Sequence, residues 1–198
     1  MNSPEKDKAF FEAGLQQLET YILSKELYWL APIHTTDFTQ ITPGAMLLVR
    51  ERLKGWRIPG IHELSVQMEA DRLKWRSAWD AKVKRELHAR LELWKDYLHE
   101  ARHVPDEFGR QYPYQVRQRV ILKLLLDELQ ESPSGLMIAL DAELTRIWEN
   151  GNFVWDPAMA WVFPVPALAS TTLTPSRGQW MREKYSTFFS GIPGLPVI

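Results

Sequence analysis

The chain has 198 residues, a formal net charge of −1 and no cysteine. This length suits one domain with a substantial core, so we expect a single domain over residues 1–198. The balanced charge gives no overall field for nucleic acid or an anionic membrane, and the lack of cysteine excludes disulfides, cysteine nucleophiles and thiolate metal sites. Charged residues interrupt any signal-peptide core, and no uncharged run could span a bilayer, so we expect a cytoplasmic protein.

The N-terminal third of the chain carries two helix-start signatures. Ser3 followed by Pro4 is typical of an N-cap and first helical position, and apolar residues at helical spacing as far as Leu30 predict a helix that Pro32 limits. Residues 31–42 are rich in turn-forming and β-branched types and predict a loop with a short extended piece. Thr42 followed by proline repeats the signature and predicts a short helix ending at Gly55.

Residues 61–102 form the longest pattern in the chain. They contain no glycine and no proline, and the apolar residues recur at helical spacing, as Leu64, Met68, Trp75, Trp79, Val83, Leu87, Leu91, Trp94, Leu98 and Ala101. The pattern predicts one amphipathic helix of roughly 60 Å at 1.5 Å per residue. Since such a rod would overhang a spherical body, we expect an elongated molecule, a kink near Ser77 and Ala78, or a second copy covering the overhang.

Two further helices are predicted after this one. Pro105 ends the long helix, residues 106–112 form a crossing, and Pro113 begins a strongly apolar helix that reaches Leu129. A turn over residues 132–135 leads into a helix over 136–148. The short connection favours an antiparallel pair.

The C-terminal part has a different composition. Prolines and tryptophans over residues 151–176 predict an extended cover segment, with one turn after Asp156, and residues 177–189 predict a final helix. The fold class that we predict is therefore all-α, an elongated antiparallel helical bundle with an irregular C-terminal cover.

One short motif suggests metal chemistry. His99, Glu100 and His103 fit the pattern H-E-x-x-H, in which two imidazoles on one helical face hold zinc and the carboxylate activates a bound water. Over these five residues the chain resembles the zincin metalloproteases. The resemblance implies that His99 and His103 are zinc ligands and Glu100 the general base, with Glu128 or Glu131 as candidate third ligands. The alternative is a coincidental match near a helix C-terminus, where histidine is favoured by the helix dipole.

A basic stretch over residues 110–123 offers a second candidate. Arg110, Arg117 and Arg119 combine with tyrosines near a helix start, a composition suited to phosphates and bases. It therefore indicates a candidate anion-binding or nucleic-acid-binding surface. The alternative is a solvated helix face.

The proline- and tryptophan-rich segment over residues 151–176 offers a third candidate, a surface that binds a protein partner. Trp155, Trp161 and Phe163 on an extended backbone are suited to anchoring a protein partner. The alternative is that they cover the bundle within the chain.

From the long amphipathic helix and the abundant aromatics we expect a non-enzymatic helical protein without a cofactor, which acts through protein–protein association, including self-association. A zinc metallopeptidase and a nucleic-acid-binding protein are the alternatives.

Overall fold

A computed structural model describes residues 3–103, 105–147, 149–150, 153–163 and 170–172. Its six α-helices in the described part of the chain are α1 (Pro4–Leu23), α2 (Pro43–Gly55), α3 (Ile61–Lys74), α4 (Arg76–His103), α5 (Pro105–Leu129) and α6 (Gly135–Ile147). Two small antiparallel pairs join β1 (Trp29–Leu30) to β2 (Gln40–Ile41), and β3 (Glu149–Asn150) to β4 (Ser170–Thr172). The predicted all-α helical bundle is confirmed.

Helix α2 forms where its start signature predicts. The Thr42 hydroxyl accepts a hydrogen bond from the Ala45 N–H at 3.1 Å, and the helix ends at Gly55. Gly44 lets this helix lie against α5, because a Cβ at that position would stand 2.3 Å from the Cγ2 of Ile121. The N-terminus of α2 is therefore embedded in the bundle.

Helix α1 is shorter than predicted. It ends at Leu23, and the N–H of Ser24 caps it by donating to the carbonyls of Thr20 and Tyr21. Leu30 belongs to β1 and is 70% exposed. The Tyr21 hydroxyl donates to the Leu27 carbonyl at 2.9 Å, which turns the chain back toward β2. Pairing between β1 and β2 thus replaces the last predicted helical turns.

The predicted 61–102 helix is divided at Trp75. That residue has φ −117° and ψ 35°, outside the helical region, and it separates α3 from α4. The break lies close to the kink considered near Ser77 and Ala78. It lets Met68 of α3 and Trp79 of α4 both lie fully buried in the core. At about 21 and 42 Å, the two helices no longer require an overhang that a second copy must cover.

The predicted crossing over 106–112 is wrong, since α5 already begins at Pro105 and contains Pro113 in its interior. Proline is tolerated at a first helical position, and the internal one removes a single backbone hydrogen bond. Tyr112, fully buried, anchors this first part of α5 in the core. Tertiary packing therefore extends the helix through a residue type that usually ends one.

The core lies between α1, α2, α4 and α5, and α4 with α5 forms the most extensive helix contact. Helix α6 packs mainly on α4 rather than on α5, and the guanidinium of Arg119 holds it to α5 through two hydrogen bonds of 2.7 and 2.8 Å to Asp141. No helix among those described has the length and apolar character needed to cross a lipid bilayer.

The segment over residues 153–163 lies on the bundle. It contains the predicted turn, a 3₁₀ turn over Pro157–Met159, and buries Met159 and Phe163 in the core. The predicted final helix over 177–189 lies outside the described residues, as do residues 151–152, 164–169 and 173–176 of the predicted 151–176 cover.

Candidate functional site

A cleft of about 670 Å³ opens between the β1–β2 connection, the end of α2, the middle of α5 and the 153–163 segment. Its charged lining residues are Asp37, Arg52, Arg117 and Asp156, and its aromatic lining residues are Trp56, Tyr114 and Trp155. Thr36, two prolines, Val154 and Met159 complete the lining. We call it the arginine–aromatic cleft. Its volume falls within the range typical of small-molecule sites.

Two buried arginines meet at one aspartate. The Nη2 of Arg52 donates to Asp37 Oδ2 at 2.6 Å. The Nη1 of Arg117 donates to the Asp37 backbone carbonyl at 2.7 Å and lies 3.6 Å from its Oδ1. Asp37 therefore ties α2 to α5 through the loop between β1 and β2, and both guanidiniums are held in fixed positions.

Aromatic rings cover the faces of both guanidiniums. The Cζ of Arg117 lies 4.1 Å from the Tyr114 ring centre and 5.1 Å from that of Phe38. The Cζ of Arg52 lies 5.9 Å from Phe38 and 5.3 Å from the Trp155 ring centre. Rings and guanidiniums thus alternate from Tyr114 to Trp155, an arrangement stabilised by cation–π attraction.

Asp7 of α1 lies behind Arg52. The carboxylate is fully buried, and its Oδ2 lies 3.6 Å from the Nη1 of Arg52, beyond hydrogen-bond distance. Burial raises the pKa of Asp7 to about 6, the Arg52 guanidinium lowers it in part, and the Asp37 charge raises it further. Burial also lowers the pKa of Arg117. The buried Asp7 carboxylate is therefore stabilised by its ion pair with Arg52 and opposed by the charge of Asp37.

Two indole N–H groups hold the 153–163 segment over the cleft. Trp155 Nε1 donates to the Pro113 carbonyl at 2.9 Å, and Trp56 Nε1 donates to Asp156 Oδ2 at 3.1 Å. The first bond connects the segment to α5 and the second connects it to the end of α2. The cleft is therefore preformed by contacts within the chain.

No protein-family model, curated protein or solved structure matches the chain.

The H-E-x-x-H residues lie away from this cleft. His99, Glu100 and His103 are exposed in the last turns of α4, with the two imidazole centres 4.9 Å apart. Glu128 and Glu131 contact Trp79 and Lys84, which precede His99 on α4 by roughly 30 and 22 Å, so neither can complete a site there. The described residues contain no cluster of three metal-ligating side chains. A zinc role for this pair stays a prediction.

The predicted basic surface is divided by the structure. Arg110 is exposed, whereas Arg117 is buried in the cleft and Arg119 is paired with Asp141 on α6. Two of the three guanidiniums are therefore bound within the chain and do not form one open anion-binding face.

The predicted docking residues also separate. Phe163 is 3% exposed and belongs to the core, Trp155 is half-buried against Arg52, and Trp161 is 63% exposed. A second cavity of about 460 Å³ lies beside Trp161, with Leu124 and Lys123 of α5 in its lining. The surface available to a partner thus contains Trp161 but not Phe163.

Sequence reasoning missed Asp7, Asp37 and Arg52. A signal existed for Asp7, because position 7 lies on the same helical face as the buried Phe11 and Leu18, where a carboxylate is unusual. Asp37 and Arg52 carry no such local signal, because only the fold brings the loop against α2.

Proposed function

We propose that the chain is a non-enzymatic binding protein whose arginine–aromatic cleft takes a small organic molecule with a flat apolar body. The observation that carries the proposal is the preformed cleft itself, in which three aromatic side chains accompany two buried guanidiniums. Largely apolar pockets with a few fixed polar groups are the usual form of ligand sites. Flat ligands suit it because Trp56, Tyr114 and Trp155 line the cleft, and aromatic side chains pack well against flat molecules.

Saturation-transfer NMR with 2-naphthamide, a neutral flat probe, tests this function. We expect a signal that titrates to saturation for the unmodified protein and a loss of affinity of about tenfold or more for Trp56→Ala, because the variant removes one ring from the cleft. Trp161→Ala is the matched control, since Trp161 does not line the cleft. Equal weakening by both variants would contradict the proposal.

A second candidate function is self-association through the exposed Trp161. This indole and the 460 Å³ cavity beside it lie on one patch, so two copies related by a twofold axis could each insert Trp161 beside the other's cavity. Light scattering over a range of protein concentrations tests the idea. Self-association that Trp161→Ala abolishes and Trp56→Ala preserves supports it, and a monomer at every concentration contradicts it.

A further inference from the structure

Two imidazole rings lie side by side at the end of α4. The ring centres of His99 and His103 are 4.9 Å apart, with an angle of 76° between the ring planes. Residues four apart are neighbours on one face of a helix, which brings the two rings together. Both side chains are exposed, so an ion in solution can reach them.

The separation of the rings matches what a shared metal ion requires. A metal ion about 2.0–2.1 Å from an imidazole nitrogen lies roughly 3.2 Å from the centre of that ring. Two rings that share the ion then have centres about 4.5 Å apart at a ligand angle of 90°, and about 5.2 Å apart at the tetrahedral angle. The observed 4.9 Å lies between these values. Binding of one ion therefore requires rotation of the side chains but no displacement of the helix.

The end of α4 that carries the two rings is held in the bundle. Trp94, Leu98 and Ala101 are fully buried in the core, and α6 packs against α4. Binding of a metal ion to a disordered segment loses affinity because the ion must also order the chain. Here the backbone is already ordered by packing, so that cost is absent.

The charges around the two histidines favour a cation. Asp96 lies three residues before His99, and Glu100 lies three residues before His103, a spacing that makes neighbours on a helix surface. Two basic side chains nearby are each paired with a glutamate, Lys95 with Glu92 and Arg102 with Glu143. Carboxylates therefore outnumber basic groups around the rings, and this negative excess attracts a metal ion.

We propose that His99 and His103 together bind one divalent transition-metal ion, through one nitrogen of each ring. Imidazole is a preferred ligand of Cu²⁺, Ni²⁺ and Zn²⁺, and Cu²⁺ binds most tightly of the three to a given set of ligands. Among the described residues no cluster supplies a third protein ligand, so the other coordination positions are open to water or to a ligand from solution. The proposal assigns metal binding to the two histidines and no catalytic role to Glu100, and it is independent of the arginine–aromatic cleft.

Isothermal titration calorimetry of the full chain without a polyhistidine tag, in a weakly coordinating buffer, tests the site. We expect one Cu²⁺ per chain, bound about tenfold or more tighter than Zn²⁺. Mg²⁺, which prefers oxygen ligands, should not bind. Electron paramagnetic resonance of the Cu²⁺ complex should show coupling to imidazole nitrogen.

Variants test whether the two rings share the ion. His99→Ala and His103→Ala should each weaken Cu²⁺ binding by about tenfold or more, and each by nearly as much as the double variant, because one imidazole cannot chelate. His88→Ala is the matched control, since His88 is exposed on the same helix roughly 16 Å before His99. It should leave the affinity unchanged. Circular dichroism checks that every variant is folded, as expected for exposed side chains.

Three outcomes would overturn the inference. Losses that add between the two single variants would mean that the histidines bind independently. Cu²⁺ binding that survives in the double variant, or that falls equally with His88→Ala, would place the ion elsewhere. No Cu²⁺ binding to the unmodified chain below millimolar concentration would mean that the rings do not form a site. None of these results bears on the cleft, whose test with 2-naphthamide uses other residues.

Discussion

Glu86 is a fully buried carboxylate that connects three helices. Its oxygens accept hydrogen bonds from the Thr42 hydroxyl at 2.7 Å, the Gly44 N–H at 2.6 Å and Arg90 Nε at 2.7 Å. Arg90 Nη1 in turn donates to Gln118 Oε1 at 2.6 Å. The carboxylate therefore satisfies the N-terminus of α2 and pairs a buried arginine, which compensates for its removal from water.

Replacement of Glu86 by Gln should lower the free energy of unfolding by about 3 kcal/mol, because the amide carries no charge to pair with Arg90 and its NH₂ group faces donors. Urea denaturation measures the loss. Glu92→Gln on the same helix is the control, since Glu92 forms a surface ion pair with the partly exposed Lys95, and it should change stability by less than about 0.5 kcal/mol. Similar small losses for both variants would show that the buried network contributes little.

At the scale of elements, Glu128 of α5 holds the break between α3 and α4. Its Oε1 accepts hydrogen bonds from Arg72, before the break, and from Trp79 Nε1, after it, the second at 2.9 Å. Both donors converge on one carboxylate that is 7% exposed. A single side chain of α5 thus binds both helices that meet at the break.

Glu128→Gln should destabilise the protein by about 1.5–3 kcal/mol, because two donors, one of them charged, lose their carboxylate acceptor. Glu131→Gln is the matched control, because Glu131 lies 3.9 Å from Lys84 on the surface, and it should cost less than about 0.5 kcal/mol. Thermal and urea unfolding of the two variants in parallel checks the difference. An equal loss of stability in the two variants would contradict the proposed role of Glu128 in joining α3 and α4.

The 153–163 segment covers the helical bundle with some of its side chains and exposes others to solvent. Phe163 and Met159 are buried, whereas Trp161 between them is 63% exposed. Met159 also approaches α2 closely, since a Cβ at Gly55 would lie 2.9 Å from its Sδ. The segment is therefore part of the core on one side and available for contacts on the other.

Phe163→Ala should cost about 3–4 kcal/mol through lost burial and a residual cavity. Trp161→Ala should change stability by less than about 0.5 kcal/mol, since most of its side chain is in water. Urea denaturation of both variants measures the contrast. If Phe163→Ala leaves stability intact, the segment is not the intramolecular cover that its burial indicates.

At the scale of the whole molecule, buried charges make folding depend on pH. Asp7 has an ordinary pKa of 3.8, and burial raises the pKa to about 6 in the folded chain. The unfolded chain releases this proton first as pH rises. The stability that Asp7 contributes is therefore complete below about pH 4 and is lost as pH rises through about 6, a change of about 3 kcal/mol.

Asp7→Asn should remove this loss. Relative to the unmodified chain, the free energy of unfolding of the variant should rise by about 2–3 kcal/mol between about pH 4 and about pH 7, since the amide does not ionise. Urea denaturation at several pH values measures the two profiles. Glu12→Gln, on α1 with a side chain that is 45% exposed, is the control and should run parallel to the unmodified chain. A parallel profile for Asp7→Asn would mean that Asp7 does not titrate in this range.

Local chemistry in the sequence predicted the helical class, the capped start of α2 at Thr42 and the turn after Asp156. These features depend on periodicity, capping and proline, which act over a few residues. The end of α1, the division at Trp75 and the helix through Pro113 depend on partners distant in the chain, such as Glu128.

The arginine–aromatic cleft likewise depends on contacts between residues that are distant in the chain. Its side chains come from four segments between positions 36 and 159, and the sequence singled out Arg117 and Trp155 without indicating that they meet. The one sequence motif with a known chemistry, at His99, lies exposed and apart from it. Most of the helical segments could be predicted from the sequence, because hydrophobic periodicity and capping are local, whereas the end of α1 and the start of α5 could not. Only the tertiary structure decided which charges are buried together, because the free energy of a buried ion depends on neighbours that packing supplies.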